Sequence, residues 1–299
     1  MINKYTNTQS PIIGPKAQSP HKLSKIMGIA AAGLLALNQS AIAGGLDDEP
    51  ALLVIGASDV SGKTPINDNM NAVLGGVAVG YGSFLALGDA LIRTPELPGF
   101  VINEGQAGAG TFDRVGCNPE CGPGWWTGLD KQFDRALARV TMRDPENPAN
   151  ILGYNADYIL IGGANDCLHS DAFGVPMDET QPCTLDELNI VIDRQIALGQ
   201  RALNLGITPI YNIHGACSEE TAINAVESWG LLWWMDVATC NVYRDLHRTR
   251  IADELPDALL VDAWRGFTTT SDGLHADSRT SMRAAHRIAR AIKQHRNGH

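Results

Sequence analysis

Past residue 43 the sequence has no long apolar run, so nothing there reads as a membrane span. Acidic residues are missing from the first 43 residues, which carry Lys4, Lys16, Lys22 and Lys25, the apolar stretch Ile26 to Leu37, and then Ala41-Ile42-Ala43. A basic leader, a short apolar segment and a small-x-small site predict a secretory signal peptide over 1–43, cleaved after Ala43 and placing the chain outside the cell or in the periplasm. Basic charge is scarce in what remains. Removing 43 residues and four lysines from 299 residues and 23 basic groups leaves 256 residues with 19 basic and 33 acidic groups, and the net charge moves from −10 to −14. Such a surface disfavours nucleic acid and anionic membranes as partners. A partner for a zinc site is lacking too. Cys117-x3-Cys121 has near-zinc spacing, yet no Cys or His pair of matching spacing follows it.

What is present suits one domain, 44–299, since α/β folds of this size commonly bury a single core. All six cysteines, Cys117, Cys121, Cys167, Cys183, Cys217 and Cys240, follow the leader, which suits disulfides in an oxidising compartment. Neighbour pairing (117 with 121, 167 with 183, 217 with 240) closes short loops and is the expected connectivity. Strand signals at Ala51–Ile55, Phe100–Asn103, Tyr158–Ile161, Ile207–Ile213 and Ala258–Val261 alternate with helix signals at 81–92, 130–140, 185–205, 227–254 and 281–295. This alternation predicts a three-layer α/β/α sandwich, flavodoxin-like, around a mostly parallel sheet of about five strands. Ligands in such sheets bind beyond the carboxyl ends of the strands.

Two readings compete for the stretch Ala51 to Thr64, A-L-L-V-I-G-A-S-D-V-S-G-K-T. Ala57 to Thr64 fits a relaxed phosphate-binding loop, with Ala57 in place of its first glycine and Gly62-Lys63-Thr64 closing it. Such a loop must run into a helix, and Pro65-Ile66-Asn67-Asp68-Asn69 makes a poor one. In the other reading Ser58 is a nucleophile at a strand end. An alcohol nucleophile needs a base, a group that orients the base, and donors for the developing oxyanion. Asp272 and His275, three apart near the end of the chain, meet the first two needs. The amides of Ser58 and Gly108, with the Asn165 side chain, meet the third.

With these residues the chain resembles the SGNH, or GDSL-type, serine hydrolase family. The nucleophile block falls on Gly56-Ala57-Ser58, the oxyanion glycine on Gly108 of Asn103-Glu-Gly-Gln-Ala-Gly108, the oxyanion asparagine on Asn165 of Gly163-Ala164-Asn165-Asp166, and the acid and base on Asp272-Gly-Leu-His275. Four blocks in order span most of the mature chain. The resemblance implies an esterase or lipase that works through an acyl-enzyme without a cofactor or metal, on small-molecule, lipid or glycan esters, with a monomer expected. An acyltransferase with the same triad, or a silent binding module of the same fold, are the neighbouring alternatives.

Two departures stand out. Ala57 occupies the position where the family carries Asp, and a carboxylate follows the serine instead, as Asp59. A cysteine-bearing insertion follows Gly110, and its Trp125 and Trp126 are candidates to line an acyl or sugar site. Asp166, His169 and His214 are read as structural, Lys63 as a surface residue, and Trp229, Trp233 and Trp234 as packing.

Overall fold

The run Ala51–Ile55 (β1) is buried at every position, as a strand covered on both faces must be, and it forms the centre of the fold. The computed structural model describes residues 49–61, 85–97, 99–106, 109–113, 127–168, 183–213, 237–267 and 275–298, and the statements below concern those. They belong to one unit, Leu46–His299; residues 1–43, expected to be a leader, lie outside them.

In chain order β1 is followed by the short helix α1 (Ser58–Ser61), α2 (Leu87–Ile92), β2 (Val101–Asn103), α3 (Leu129–Val140), β3 (Thr141–Arg143), β4 (Ile151–Tyr154) and β5 (Ala156–Ile161). Then come α4 (Leu185–Asn204), β6 (Thr208–Asn212), α5 (Val237–Glu254), β7 (Leu259–Val261) and α6 (Ser278–Gly298). The main sheet has five strands in the order β2-β1-β5-β6-β7, and every pairing is parallel. β1 carries β2 on one side through Leu52↔Val101 and β5 on the other through Leu52↔Tyr158. The chain therefore turns one way from β1 and then crosses back, and the gap beyond β1 and β5 is the switch point where open α/β sheets seat ligands.

Side chains alternate across the sheet and divide into two layers. Leu53, Ile55, Ile159, Ile161 and Tyr211 face α3, α4 and α5, contacting Phe133, Leu198 and Ile251. Leu52, Val54, Leu160 and Ile210 face α1, α2 and α6, contacting Val60, Leu91, Ala285 and Ile288. Three layers follow, as the alternation of strands and helices predicts. Helix α4 begins where Thr184 caps it, its side chain accepting from the Glu187 amide while the Glu187 carboxylate takes the Thr184 N–H.

The antiparallel hairpin β3–β4 was not expected from the sequence. It is short, and Met142, Ile151 and Leu152 are exposed, so no apolar face marks it. Cys167 and Cys183 are joined, as neighbour pairing predicts, with their Cα atoms 5.6 Å apart. Cys240 is disulfide-bonded, and the other cysteines lie outside the described residues.

Candidate active site

Ser58 follows the tight exit from β1 and is the first residue of α1. The exit needs Gly56, whose φ is +152°; a Cβ there would stand 2.6 Å from Val60 Cγ2. The Gly56 N–H donates to Gln132 Oε1 at 2.8 Å, and Gln132 is fully buried in α3. The amides of Val60 and Ser61 both donate to the Ala57 carbonyl, at 3.2 and 3.0 Å. The turn is thus closed from within and gripped from a helix 76 residues away.

His275 approaches from the other end of the chain. Asp277 caps α6, its Oδ1 accepting the Thr280 N–H at 2.7 Å and its carbonyl the Ser281 N–H at 3.0 Å, and His275 lies just before that cap. Its Nε2 stands 2.7 Å from Ser58 Oγ across 217 residues of sequence, and both residues are buried. A hydroxyl hydrogen-bonded to an imidazole at this distance has the geometry of a nucleophile and its base.

Asn165 lies in the loop beyond β5, half-buried, and its N–H donates to the Ala109 carbonyl at 2.9 Å. That bond sets Asn165 beside the residue after Gly108. The next residue, Asp166, reinforces the junction. It is almost fully buried, and it accepts the Thr111 N–H at 2.8 Å and the Thr111 hydroxyl at 2.6 Å, with Arg194 Nη1 3.5 Å away. Burial lifts its pKa above the ordinary 3.8, against the pull of Thr111 and Arg194. The segment after β2 is also tied to the Ser58 turn, since the Gln106 N–H donates to the Gly56 carbonyl at 3.0 Å. Gln106 Oε1 accepts from the Thr127 amide and hydroxyl at 3.1 and 2.9 Å.

Of the residues singled out in the sequence, Ser58 and His275 are brought into contact, and Asn165 is set at the same sheet edge. Gly108, Asp272, Trp125, Trp126, Lys63, His169 and His214 lie outside the described residues. The phosphate-loop alternative loses its backbone, because residues 58–61, in the middle of the would-be loop, are helical. Gln132 was missed. Its only signal was a polar residue on the buried stripe of Phe133, Ala136, Leu137 and Val140, with its partner far off in sequence. Asp166 was read as structural, and its clamp on Thr111 gives that role a mechanism.

The fold can be set beside known proteins. Neither a family model nor a curated protein matches the sequence. Among solved structures, Est24, a carbohydrate acetylesterase from Sinorhizobium meliloti, aligns with 82% of this chain and 99% of its own at 14% identity and a TM-score of 0.50. Axe2, an acetylxylan esterase from Geobacillus stearothermophilus, aligns over 83% and 95% of the two chains at 14% identity and a TM-score of 0.44. A candidate SGNH hydrolase from Slackia heliotrinireducens aligns over 82% and 100% at 15% identity and a TM-score of 0.45. The chain shares the fold of Est24, a three-layer α/β/α sandwich with a parallel central sheet.

Proposed function

We propose that this protein is a secreted serine esterase that hydrolyses carboxylic esters through an acyl-enzyme. The observation that carries the reading is the 2.7 Å contact between Ser58 Oγ and His275 Nε2, made at the switch point of a sheet with this fold. Ser58 Oγ attacks the ester carbonyl carbon while its proton passes to His275 Nε2. The imidazolium then returns the proton to the departing alcohol oxygen, and the acyl group stays on Ser58. Water attacks that acyl-enzyme with His275 again as base, releasing the acid and restoring the serine. Asp272, three residues before His275, orients the imidazole. The amides of Ser58 and Gly108 and the side chain of Asn165 receive the oxyanion, and the bond from Asn165 N–H to the Ala109 carbonyl supports their convergence.

Export through the leader is part of the same proposal. The Cys167–Cys183 disulfide is compatible with it, and no helix among the described residues is long and apolar enough to cross a membrane. Est24 acts on acetylated carbohydrate by its name, so acetyl esters of sugars are the first substrate class to try, ahead of aryl and lipid esters.

The test is a panel of p-nitrophenyl esters of rising chain length beside acetylated sugars. Ser58→Ala is expected to lower kcat by about 10⁶ while leaving the fold intact. Asn165→Ala, losing one oxyanion donor, should cost about 10² to 10³. A folded Ser58→Ala protein that still turns over any ester of the panel at the wild-type rate would overturn the assignment. Comparing transfer to added alcohols with hydrolysis separates an acyltransferase from an esterase.

A further inference from the structure

Ser58 is flanked by Ala57, at the position where the family this chain resembles carries Asp, and by Asp59 on its other side. The backbone of Gly163, two residues before Asn165, is held from both flanks of Ser58. The Ala57 N–H donates to the Gly163 carbonyl at 3.0 Å, and the Gly163 N–H donates to Asp59 Oδ2 at 3.1 Å. One peptide segment beyond β5 is therefore clasped by the residues on either side of the serine. Space for the clasp comes from a glycine pair. A Cβ on Gly162 would stand 3.3 Å from Asp59 Oδ2 and 2.8 Å from Val60 Cγ1, and one on Gly163 would stand 3.4 Å from Asp59 Oδ2.

The other carboxylate oxygen, Asp59 Oδ1, is buried, and no donor among the described residues meets it in good hydrogen-bond geometry. A buried acceptor left unpaired costs stability. Evolution for stability alone would remove such a group, so its presence beside the nucleophile points to a functional constraint.

On the reading of Ser58 as the nucleophile, we infer that Asp59 is a positioning residue, its carboxylate locking the nucleophile turn to Gly163 so that Ser58 and Asn165 keep a fixed separation. Ser58 attacks a carbonyl whose oxygen must reach the Asn165 donor at the same moment. Slack between α1 and the loop beyond β5 separates the two even when each is intact, and a misplacement of about 1 Å costs on the order of 100-fold. The carboxylate acts through geometry and touches neither substrate nor proton in transit.

Two near-isosteric variants test this. Asp59→Asn keeps a carbonyl acceptor for the Gly163 N–H; Asp59→Leu fills the volume without one. The Leu variant is expected to lose about 100-fold in kcat with KM unchanged. The Asn variant should recover most of that kcat. Amide hydrogen exchange at Gly163, followed by NMR, should quicken in the Leu variant and stay near wild type in the Asn variant. Wild-type kcat in Asp59→Leu, an equal loss in both variants, or unchanged Gly163 exchange in Asp59→Leu would each overturn the inference. The exchange measurement needs no activity. A wild-type protein that neither hydrolyses esters nor takes up a fluorophosphonate at Ser58 would sink the esterase reading, and Gly163 exchange would still decide whether the clasp exists.

Discussion

Asp59, in α1, and Asp166, in the segment beyond β5, are the same residue type with buried carboxylates at the switch point, and they differ in how completely they are paired. Asp166 spends both oxygens on Thr111, with Arg194 close by, whereas Asp59 gives Oδ2 to Gly163, and Oδ1 meets no donor in good geometry among the described residues. Burial raises the pKa of each above 3.8, and for Asp59 the Gly163 amide and the charge of His275 pull only partly the other way. A carboxyl whose folded pKa is raised favours the fold most below its unfolded pKa, and that contribution is lost as pH rises through the folded value. The neutral substitution Asp59→Asn should therefore leave the thermal midpoint at or above wild type at neutral pH. The gap should narrow as pH falls toward 3.8, where the wild-type carboxyl is itself protonated. Asp166→Ala should go the other way and lose about 1–3 kcal/mol in urea unfolding, because the buried Thr111 N–H is left unpaired. A matched response of the two variants at neutral pH would contradict the distinction.

At the scale of elements, helix α1 has only four residues and is held by what surrounds it. Val60 is fully buried, and four glycines leave the room it needs. A Cβ on Gly56 or Gly105 would stand 2.6 or 2.7 Å from Val60 Cγ2, and one on Gly162 would stand 2.8 Å from Cγ1. A Cβ on Gly88 would come within 2.2 Å of the Val60 carbonyl oxygen and 2.1 Å of Asn103 Nδ2, the pair that makes a 2.7 Å hydrogen bond. Gly88→Ala, in helix α2 and remote in sequence from the serine, should cost about 1–3 kcal/mol by overpacking, read from urea unfolding. It should also lower kcat by displacing α1; wild-type kcat in a destabilised Gly88→Ala protein would separate the cradle from catalysis. This cradle shows why the sequence was legible in some places only. β1 announces itself as an unbroken apolar run, the stripes of α3, α4 and α6 because burial repeats at the helical period, and Ser58, Asn165 and His275 because each sits in a short block just past a strand or before a helix. Gly88, Gln132 and Thr111 act through partners 28, 76 and 55 residues away, respectively Val60, Gly56 and Asp166. Nothing local marks such a contact, and the exposed hairpin β3–β4 lacks an apolar face that would mark it.

At the scale of the described molecule, the loops beyond β1, β2 and β5 are bound to one another by the backbone bonds Gln106 N–H to Gly56, Asn165 N–H to Ala109 and Ala57 N–H to Gly163, yet the loop beyond β5 must also be held at its far end. The Cys167–Cys183 disulfide does this. It lies one residue past Asp166 and one before the Thr184 cap of α4, and it packs with Leu188, Val191, Ile192, Cys240 and Tyr243. Closing a span of 16 residues withdraws conformational freedom from the unfolded chain, on the order of 3 kcal/mol in the loop-entropy picture. The double variant Cys167→Ala/Cys183→Ala should lose about that much in urea unfolding. Its kcat under folding conditions should fall far less than that of Asn165→Ala, because Asp166 and Ala109 still hold the loop next to the proposed oxyanion site. The wild-type protein unfolded with a thiol reductant should show a lowered midpoint as well. If the double variant instead lost as much kcat as Asn165→Ala while remaining folded, the disulfide would be setting the position of Asn165, and the hydrogen bonds at Ala109 and Thr111 would not suffice to hold it.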